Sequence, residues 1–191
     1  MSHITYYDQT PLNKARSDKF SLRFNIPLAL MDRNKRFQRN NSTFDLTTFQ
    51  FSVYGTVVPK IQVQAIDAKY SGSNIYISSH AKPSYEPVTI KFTIDNMFNN
   101  YWVIFSWLDL LRNQDTDIYS GTLTNSDKGL GQYSTDFEIV GKDEFNKDVI
   151  KWIYKTAFPT DLGEISYNYR TPNELETEMT FVFRSLETIL L

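Results

Sequence analysis

A period of two in the apolar side chains is the feature that most restricts how this chain can fold. It is most regular at Met179, Phe181 and Phe183, which alternate with polar or charged neighbours. Such alternation is typical of a β-strand with one buried and one exposed face. The same period recurs at 20–26, 49–53, 61–66, 88–94 and 133–141. The sequence therefore predicts a mainly β fold, an antiparallel sandwich or barrel.

The stretch from Trp152 to Leu186 predicts a meander of three strands. A strand over 152–157 is expected to end in a connection, 158–163. A second strand is expected over 165–169, where apolar or aromatic residues alternate with polar ones. A turn is predicted at 171–174, because proline cannot donate to a strand ladder and asparagine favours turns.

One segment departs from this period and predicts a helix. From Met97 to about Arg112 the apolar residues recur at spacings of three and four, and Asp95-Asn96 precedes them as a candidate N-cap region. The predicted stripe consists of Met97, Tyr101, Phe105, Leu108 and Leu111, widened by Trp102, Ile104 and Trp107. We interpret the stripe as core-facing and not as a cofactor site.

Segments without a periodic apolar pattern predict an arm and long loops. Residues 1–18 are expected to form an N-terminal arm, either disordered or ordered on a neighbouring subunit. Residues 19–191 are expected to form a single β domain, as the chain length favours. Long loops are predicted at 29–47, 68–87 and 113–131. The loop at 68–87 is expected to protrude as a hairpin or loop with Gly72 at its turn.

The amino-acid composition argues against several kinds of functional site. The chain has no cysteine, which excludes disulfides, zinc–thiolate sites and a cysteine nucleophile. Its two histidines, His3 and His80, fall in the predicted arm and loop, so a histidine-dependent triad or metal site is not expected. Glu174, Glu176 and Glu178 are more simply explained as solvated or paired carboxylates than as a glycosidase pair. We expect no enzyme activity, no metal and no cofactor.

Charge and hydropathy limit the partners. Lys plus Arg total 20 against 22 Asp plus Glu, a formal net charge of -2. This balance argues against a dedicated nucleic-acid binder with a broad basic surface. No run of about 18 apolar residues occurs, and the first residues have no basic region followed by an apolar run. We expect a soluble protein that makes no membrane contact and is not exported by a signal peptide.

The C-terminal stretch also resembles the signature of a known family. An aromatic strand, 152–157, leads into Phe158-Pro159-Thr160, then Leu162-Gly163-Glu164, a strand at 165–169 and a last core strand at 176–183. This order is similar to the C-terminal signature of the tail tube proteins of contractile-tailed bacteriophages, in which Phe158, Pro159, Thr160, Leu162, Gly163 and Glu164 form the signature turn. Blocks that match the family's order elsewhere are 20–26, 49–53, 61–66, 88–94 and 98–111.

The resemblance implies a tail-tube-like fold and a structural virion protein. Hexameric rings would stack into the inner tube of a contractile phage tail and form the conduit for genome ejection. The implied partners are further copies of the chain, the sheath protein, the tape measure protein and baseplate or tail-end proteins, with DNA passing transiently and non-specifically through the lumen. The expected location is the phage tail of the virion, after assembly in the host cytoplasm. A closed ring also removes exposed strand edges.

The resemblance further implies two sets of contact residues. The loop at 68–87 is similar in position to the loop that contacts the adjacent ring in this family, although it can also be an ordinary exposed hairpin. The inter-ring stacking candidates are Tyr70, Gly72, Asn74, Tyr76 and Tyr85. The lumen-lining candidates, polar outward residues of the central strands, are Gln62, Gln64, Thr89 and Lys91. Near-neutral polar rows suit a passage that must not trap DNA by many basic contacts.

Other roles remain open at this point. A baseplate tube-initiator, a tail terminator and the tube of a type VI secretion or phage-derived injection particle share the fold, and fold alone does not fix the role. A different class is a small β-barrel that binds an apolar ligand inside, because it would use the same aromatic strands. That class predicts a monomer with an internal cavity, whereas a tube protein self-assembles without a ligand.

Overall fold

The computed structural model describes residues 14–27, 30, 52–79, 85–112, 133–170 and 173–191. Nine strands and one longer helix have bounds within these residues: β1 Phe20–Phe24, β2 Val53–Thr56, β3 Ala65–Tyr70, β4 Ser73–Ser78, β5 Val88–Thr93, α1 Asn99–Arg112, β6 Thr135–Lys142, β7 Asp148–Leu162, β8 Glu176–Val182 and β9 Ser185–Leu190. The helix lies between β5 and β6, where the sequence predicts it.

Some expectations concern residues outside these ranges. These include most of the arm at 1–18, the loop at 113–131, nearly all of the loop at 29–47, and both histidines. Of the predicted strand at 49–53 only its end is described, and it belongs to β2. These expectations stay predictions.

Seven strands form an antiparallel sheet that β7 divides into two layers. The strand order is β1-β6-β7-β8-β5-β2, with β9 also paired to β7. The first part of β7 pairs with β6 and β9, and its last part pairs with β8. We call β1, β6, β9 and the first part of β7 sheet A, and the last part of β7 with β8, β5 and β2 sheet B. The described strands form no closed barrel, so of the two predicted architectures the sandwich is the correct one.

The passage from sheet A to sheet B occurs at a bulge in β7. Thr156 has a positive φ of 56°, and the pairing of β6 with β7 shifts register beside it. A β-bulge bends its strand and increases the local twist. The backbone N–H of Thr156 donates to the carboxylate of Asp136 at 2.8 Å, which holds the bulge in place.

β8 and β9 follow each other along the same side of β7. Phe158 lies opposite Val182 and Lys155 lies opposite Ser185, so the register is the same before and after the short break at residues 183–184. The chain from 148 to 190 is therefore one long, bent pair of strands that contributes to both sheets.

Two predictions for this stretch are wrong. Residues 158–162 continue β7 and do not form a connecting turn. Pro159 is accommodated because pairing with β6 ends at Ala157, which leaves this part of β7 with β8 on one side only. The predicted strand at 165–169 is irregular and mostly exposed, because its alternating residues have no neighbouring strand to pair with among the described residues.

A third predicted strand begins later in the chain than expected. Residues 57–64 are irregular, and the strand that was expected over 61–66 begins only at Ala65. Ile61 and Val63 alternate with glutamines as a strand would, but both side chains are exposed. Alternation alone does not form a strand, because a strand also needs a partner to pair with, and residues 61–64 pair with none of the described strands.

Buried aromatic rings fill the space between the two sheets. Phe24 of β1 and Phe137 of β6 each lie 5.4 Å, between ring centroids, from Phe181 of β8. Trp107 of α1 lies 5.7 Å from Phe24 and 5.8 Å from Phe181, so the helix closes the same core. Interiors packed to this extent leave few voids. The ligand-binding alternative requires a cavity in this space, which these side chains occupy.

The helix begins at Asn99, two residues later than the predicted start at Met97, and Asp95 of the predicted cap region caps it. The carboxylate of Asp95 accepts hydrogen bonds from the backbone N–H of Asn99 at 2.8 Å and of Asn100 at 3.3 Å. The side-chain amide of Asn100 donates to the carbonyl of Thr93 at 2.8 Å. These bonds satisfy backbone groups at the helix start and tie α1 to the end of β5.

The predicted stripe on α1 is confirmed only in part: Ile104 and Trp107 are buried, and Tyr101, Leu108 and Leu111 pack half-buried against the core. Val103, Ile104, Trp107 and Leu110 are buried. Met97, Trp102 and Phe105, which the sequence placed in the core-facing stripe, are 75%, 49% and 40% exposed. The helix has apolar residues on most of its circumference, so periodicity alone does not define which face packs. Contact of Trp107 with both sheets fixes the rotation.

Candidate interaction surfaces

The outer face of sheet B is polar and exposed to solvent. On β5 the inward residues Ile90 and Phe92 are fully buried, whereas Lys91 between them is exposed. Lys91 lies opposite Glu178 of β8, and Thr89 lies opposite Thr180 with hydroxyl oxygens 3.4 Å apart. Thr89 and Lys91 therefore lie on the outward face of β5, a central strand of sheet B, and their lumen-lining role stays a prediction.

The other two lining candidates lie elsewhere. Gln62 and Gln64 belong to the irregular stretch before β3 and are not on sheet B, so the prediction that they share a central strand is wrong. The reason is the missing strand at 61–64, whose polar positions had been assigned to the outward face.

The same face carries acidic side chains that the sequence argument did not select. Glu176 and Glu178 both point outward on β8, next to a single lysine, Lys91. Tyr54 of β2 donates its hydroxyl hydrogen to the Glu176 carboxylate at 2.9 Å. Partial burial, and then this hydrogen bond, raise the pKa of Tyr54. The outer face of sheet B is therefore more acidic than the near-neutral polar rows that the sequence predicts. The alternating glutamates of β8, the predicted last core strand, were the sequence signal for this charge.

Sheet B has an unpaired edge on each side among the described residues. β2 is the last strand of the order on one side. On the other side, the residues of β7 beyond Ala157 pair with β8 alone. An unpaired edge presents backbone N–H and C=O groups that can pair with another strand.

β3 and β4 form a separate two-stranded hairpin. Tyr70 lies opposite Ser73, and the two turn residues, Ser71 and Gly72, have φ values of 48° and 83°. Two consecutive positive φ values are typical of the tight turn that joins antiparallel strands, and glycine adopts them without strain. Gly72 is at the turn, as the sequence indicates.

The hairpin has one apolar and one polar face, and both are exposed. Ile66 lies opposite Ile77, and Ile75 lies opposite Ala68. The three isoleucines are between 45% and 49% exposed. The opposite face carries Asp67, Lys69, Asn74 and Tyr76. A lone hairpin is marginally stable in water, so an apolar face of this kind marks a contact surface.

The five stacking candidates are therefore not one cluster. Gly72 is at the tip of the hairpin, and Asn74 and Tyr76 are on its polar face. Tyr85 lies apart, with its ring 5.1 Å from that of Phe183. The side chain of Tyr70 lies outside the described part of the chain. The isoleucines were visible as an alternation in the sequence, but the argument selected the aromatic and polar residues between them.

The structure explains why glycine occupies position 163 of the signature. The Gly163 N–H donates to the carbonyl of Glu178 at 2.7 Å, and the hydroxyl of Thr177 donates to the Gly163 carbonyl at 3.0 Å. A Cβ atom at this position would lie 3.1 Å from the Thr177 hydroxyl and 3.2 Å from the Glu178 carbonyl oxygen. The signature is thus a close approach of β7 to β8 at the end of sheet B.

Two kinds of feature are absent from the described residues. These residues contain no group of three or more His, Asp or Glu side chains that could hold a metal ion. No helix among them is long and apolar enough to cross a membrane.

Comparisons with known proteins cover almost the whole chain. The sequence model of a family described as phage tail tube protein matches residues 15–188. A search of curated proteins gives no match.

Solved structures with a similar fold come from contractile assemblies. The extended sheath–tube complex of an extracellular contractile injection system, PVC, contains a chain with a TM-score of 0.59 and 10% identity, covering 98% of this chain and 99% of that one. The tube-terminating cap of the anti-feeding prophage gives 0.57 and 11%, with 100% of both chains covered. The baseplate of the anti-feeding prophage gives 0.52 and 12%, with 93% and 96% covered. At these identities the likeness shows a common fold.

Proposed function

This chain belongs to the phage tail tube protein family, and from that premise we propose that it assembles into six-membered rings that stack into the inner tube of a contractile tail. The observation that carries the proposal is the construction of sheet B, which combines a buried face, a polar face and, among the described residues, an unpaired edge on each side. A fold that needed no neighbours would cover such edges.

Ring closure follows from these two edges. The β2 edge of one copy and the β7 edge of the next are different surfaces, so their pairing is a head-to-tail contact. Repeated rotation about an axis closes such contacts into a ring without leaving a free edge. The outer face of sheet B, with Thr89 and Lys91, then lines the lumen.

The charge of this face suits a conduit for DNA. Glu176 and Glu178 outnumber Lys91 among the outward residues described above. Carboxylates repel phosphates, whereas a ring of basic residues would hold them through many contacts at once. DNA would therefore pass through transiently and without sequence preference during genome ejection.

Stacking along the axis is assigned to the hairpin. The end of β2 lies beside the start of β5, since Thr56 is opposite Ile90, and the hairpin leaves sheet B from this end. The connection after Leu162 lies at the other end, where β8 begins. A hairpin at one end of the strands can reach the next ring, and burial of its isoleucines stabilises that contact at roughly 25 cal/mol per Å² of apolar area. Gly72, Asn74 and Tyr76 would contact the next ring at or near the hairpin tip.

The other partners follow from the same assembly. Similar folds occur in a sheath–tube complex, in a tube-terminating cap and in a baseplate. We therefore propose contacts with a sheath protein and with baseplate and tail-end proteins, and a lumen that holds a tape measure protein before ejection. The protein would act in the tail of the virion after assembly in the host cytoplasm, as a structural component and not as an enzyme. Tube-initiator, terminator and injection-particle tube are the alternative positions.

Electron microscopy of the purified protein, beside its mass by light scattering, tests the proposal. We expect rings or hollow tubes with six-fold symmetry. Long tubes indicate the tail tube itself, whereas single rings that do not extend indicate an initiator or terminator. A chain that stays monomeric at every protein and salt concentration would contradict the proposal.

A further inference from the structure

A groove lies between helix α1 and the end of β7, on the core side of the unpaired β7 edge. Its volume is about 680 Å³. Its walls are largely apolar and come from both elements, with Tyr101, Phe105 and Leu108 on the helix and Phe158 on the strand. Its strand wall is the β7 edge that the proposed ring closure uses, whereas its helix wall takes no part in the contacts described above.

Large aromatic rings are exposed at the groove and beside it. Phe105 stacks with Trp102, with ring centroids 5.6 Å apart, and with Tyr101, with centroids 6.4 Å apart. Exposed apolar groups that form a contiguous patch mark a contact site, and aromatic side chains supply most of the burial at such sites. The patch is therefore a docking surface, and the chemistry of its rim indicates what docks.

The rim of the groove is charged. Among the described residues, Asp109, Asp161 and Arg112 line it. The guanidinium of Arg112 lies 3.7 Å from the carboxylate of Asp109. The carboxylate of Asp161, beside an apolar wall, favours an apolar ligand with one positive charge.

A segment with these properties is present at the opposite edge of sheet B. Residues 57–63 follow β2, are irregular, and expose Val57 and Ile61 to 64% and 60%. Lys60 lies between these two side chains and is exposed. Fully extended, the segment reaches about 23 Å, which is enough to run along the helix from Tyr101 to Arg112, about 17 Å long.

We propose that the groove binds residues 57–63 of a neighbouring copy of this chain. Within one copy the segment and the groove are at opposite edges of sheet B, separated by β8, β5 and β2, at about 4.8 Å per strand. In the ring, the β2 edge of one copy meets the β7 edge of the next, which brings the segment to the groove. Val57 and Ile61 then cover the aromatic patch, and Lys60 faces Asp161. The inference rests on the proposed ring and adds the side-chain contact that would fix its register.

Disulfide cross-linking tests this contact, because the chain has no cysteine of its own. Phe105→Cys and Ile61→Cys variants, each checked for folding by circular dichroism, are mixed and oxidised. We expect a covalent dimer only in the mixture and only when the chains assemble. A mixture of Phe105→Cys with Val149→Cys is the matched control, since Val149 is 42% exposed on the first part of β7, and we expect no dimer there.

A charge pair gives a second measurement that does not alter the aromatic patch. Lys60→Glu should lower the assembled fraction in light scattering, and adding Asp161→Lys to it should restore assembly. Loss of assembly in Lys60→Glu that Asp161→Lys leaves unchanged would contradict the pairing of these two residues.

The outcomes separate this inference from the proposed function. Assembly of the unsubstituted chain without the Phe105–Ile61 cross-link would overturn the groove contact alone. A Phe105→Cys thiol that a small reagent cannot reach in the unassembled chain would also overturn it, because the chain's own residues would then fill the groove. If the unsubstituted chain does not assemble, both proposals fail.

Discussion

The rings of Phe137 and Tyr154 stack with centroids 4.5 Å apart and planes 7° from parallel. Both are buried at the centre of sheet A, where β6 pairs with β7. The Tyr154 hydroxyl is buried and has no hydrogen-bond partner among the described residues. Burial raises the pKa of this hydroxyl, so it stays neutral at physiological pH. Tyr154 therefore stabilises the core through its ring, and its hydroxyl works against that contribution.

Tyr154→Phe keeps the stack and removes the unpaired hydroxyl. We expect the free energy of unfolding to stay the same or to rise by about 1 kcal/mol, because an unsatisfied buried hydroxyl costs about 1–3 kcal/mol. Tyr154→Leu, which also removes the ring, should lower it. Denaturant unfolding measures both variants. A clear loss of stability in Tyr154→Phe would mean that the hydroxyl is hydrogen-bonded after all.

Gly141→Ala should destabilise sheet A. A Cβ atom at Gly141 would lie 2.9 Å from Cγ2 of Ile150 and 3.4 Å from the ring of Trp152. Such overpacking costs about 1–3 kcal/mol. Gly55→Ala is the control, since its Cβ would lie no closer than 3.5 Å to the side chain of Lys91. Equal stability of the two variants in thermal unfolding would show that β7 shifts easily at this point.

Asp148 should make stability depend on acid pH. Its carboxylate bonds to Lys142 at 2.7 Å and to Arg23. These hydrogen bonds, first that with Lys142 and then that with Arg23, lower the pKa of Asp148. A lowered pKa means that the carboxylate stabilises the fold above about pH 4, the unfolded value, and that this contribution is lost as the pH falls through the folded value.

Asp148→Asn tests this pH dependence. At pH 6 we expect the variant to be less stable than the parent by up to about 1 kcal/mol, because the pair is partly exposed. On acidification from pH 6 to pH 2 the difference should shrink. Urea unfolding at both pH values measures it, and a difference that is the same at both would exclude Asp148 as the titrating group.

Ile77→Asp should block stacking and leave the fold intact. The side chain belongs to the exposed apolar face of the hairpin and is not part of the core. We expect rings without long tubes in electron microscopy and an unchanged unfolding transition. Val149→Asp, with similar exposure on β7, serves as control. Tyr76→Asp puts the same charge on the opposite face and tests whether that face also takes part. Normal tubes from Ile77→Asp would remove the isoleucines from the inter-ring contact.

The sequence predicts the strands whose alternation coincides with burial. In β5, Ile90 and Phe92 are fully buried, and Thr89 and Lys91 point outward, which is the pattern that the periodicity indicates. The helix and its cap at Asp95 could likewise be predicted, because spacing and capping are local properties of the chain.

The errors depend on contacts between distant residues. Pro159 lies inside β7 because the pairing of β7 with β6 ends at Ala157. No local sequence pattern shows where this pairing ends. Tyr167 alternates like a strand residue but has no partner strand among the described residues. The rotation of α1 is set by Trp107 against two sheets, and the aromatic patch at Phe105 becomes a surface for the same reason. The candidate contact surfaces could not be predicted from the sequence for the same reason, because strand edges and grooves form only when distant residues come together.

The bent pair of strands from 148 to 190 has a mechanical consequence. In a sandwich whose layers are joined only by loops, one sheet can slide across the other. Here β7 runs through both layers and is hydrogen-bonded to β8 in one and to β9 in the other, so sliding would break backbone hydrogen bonds in both layers. A force on sheet A is delivered to sheet B along covalent backbone. Each copy of the chain should behave as one stiff block, which in the proposed tube would keep the bore constant while load acts on its outside.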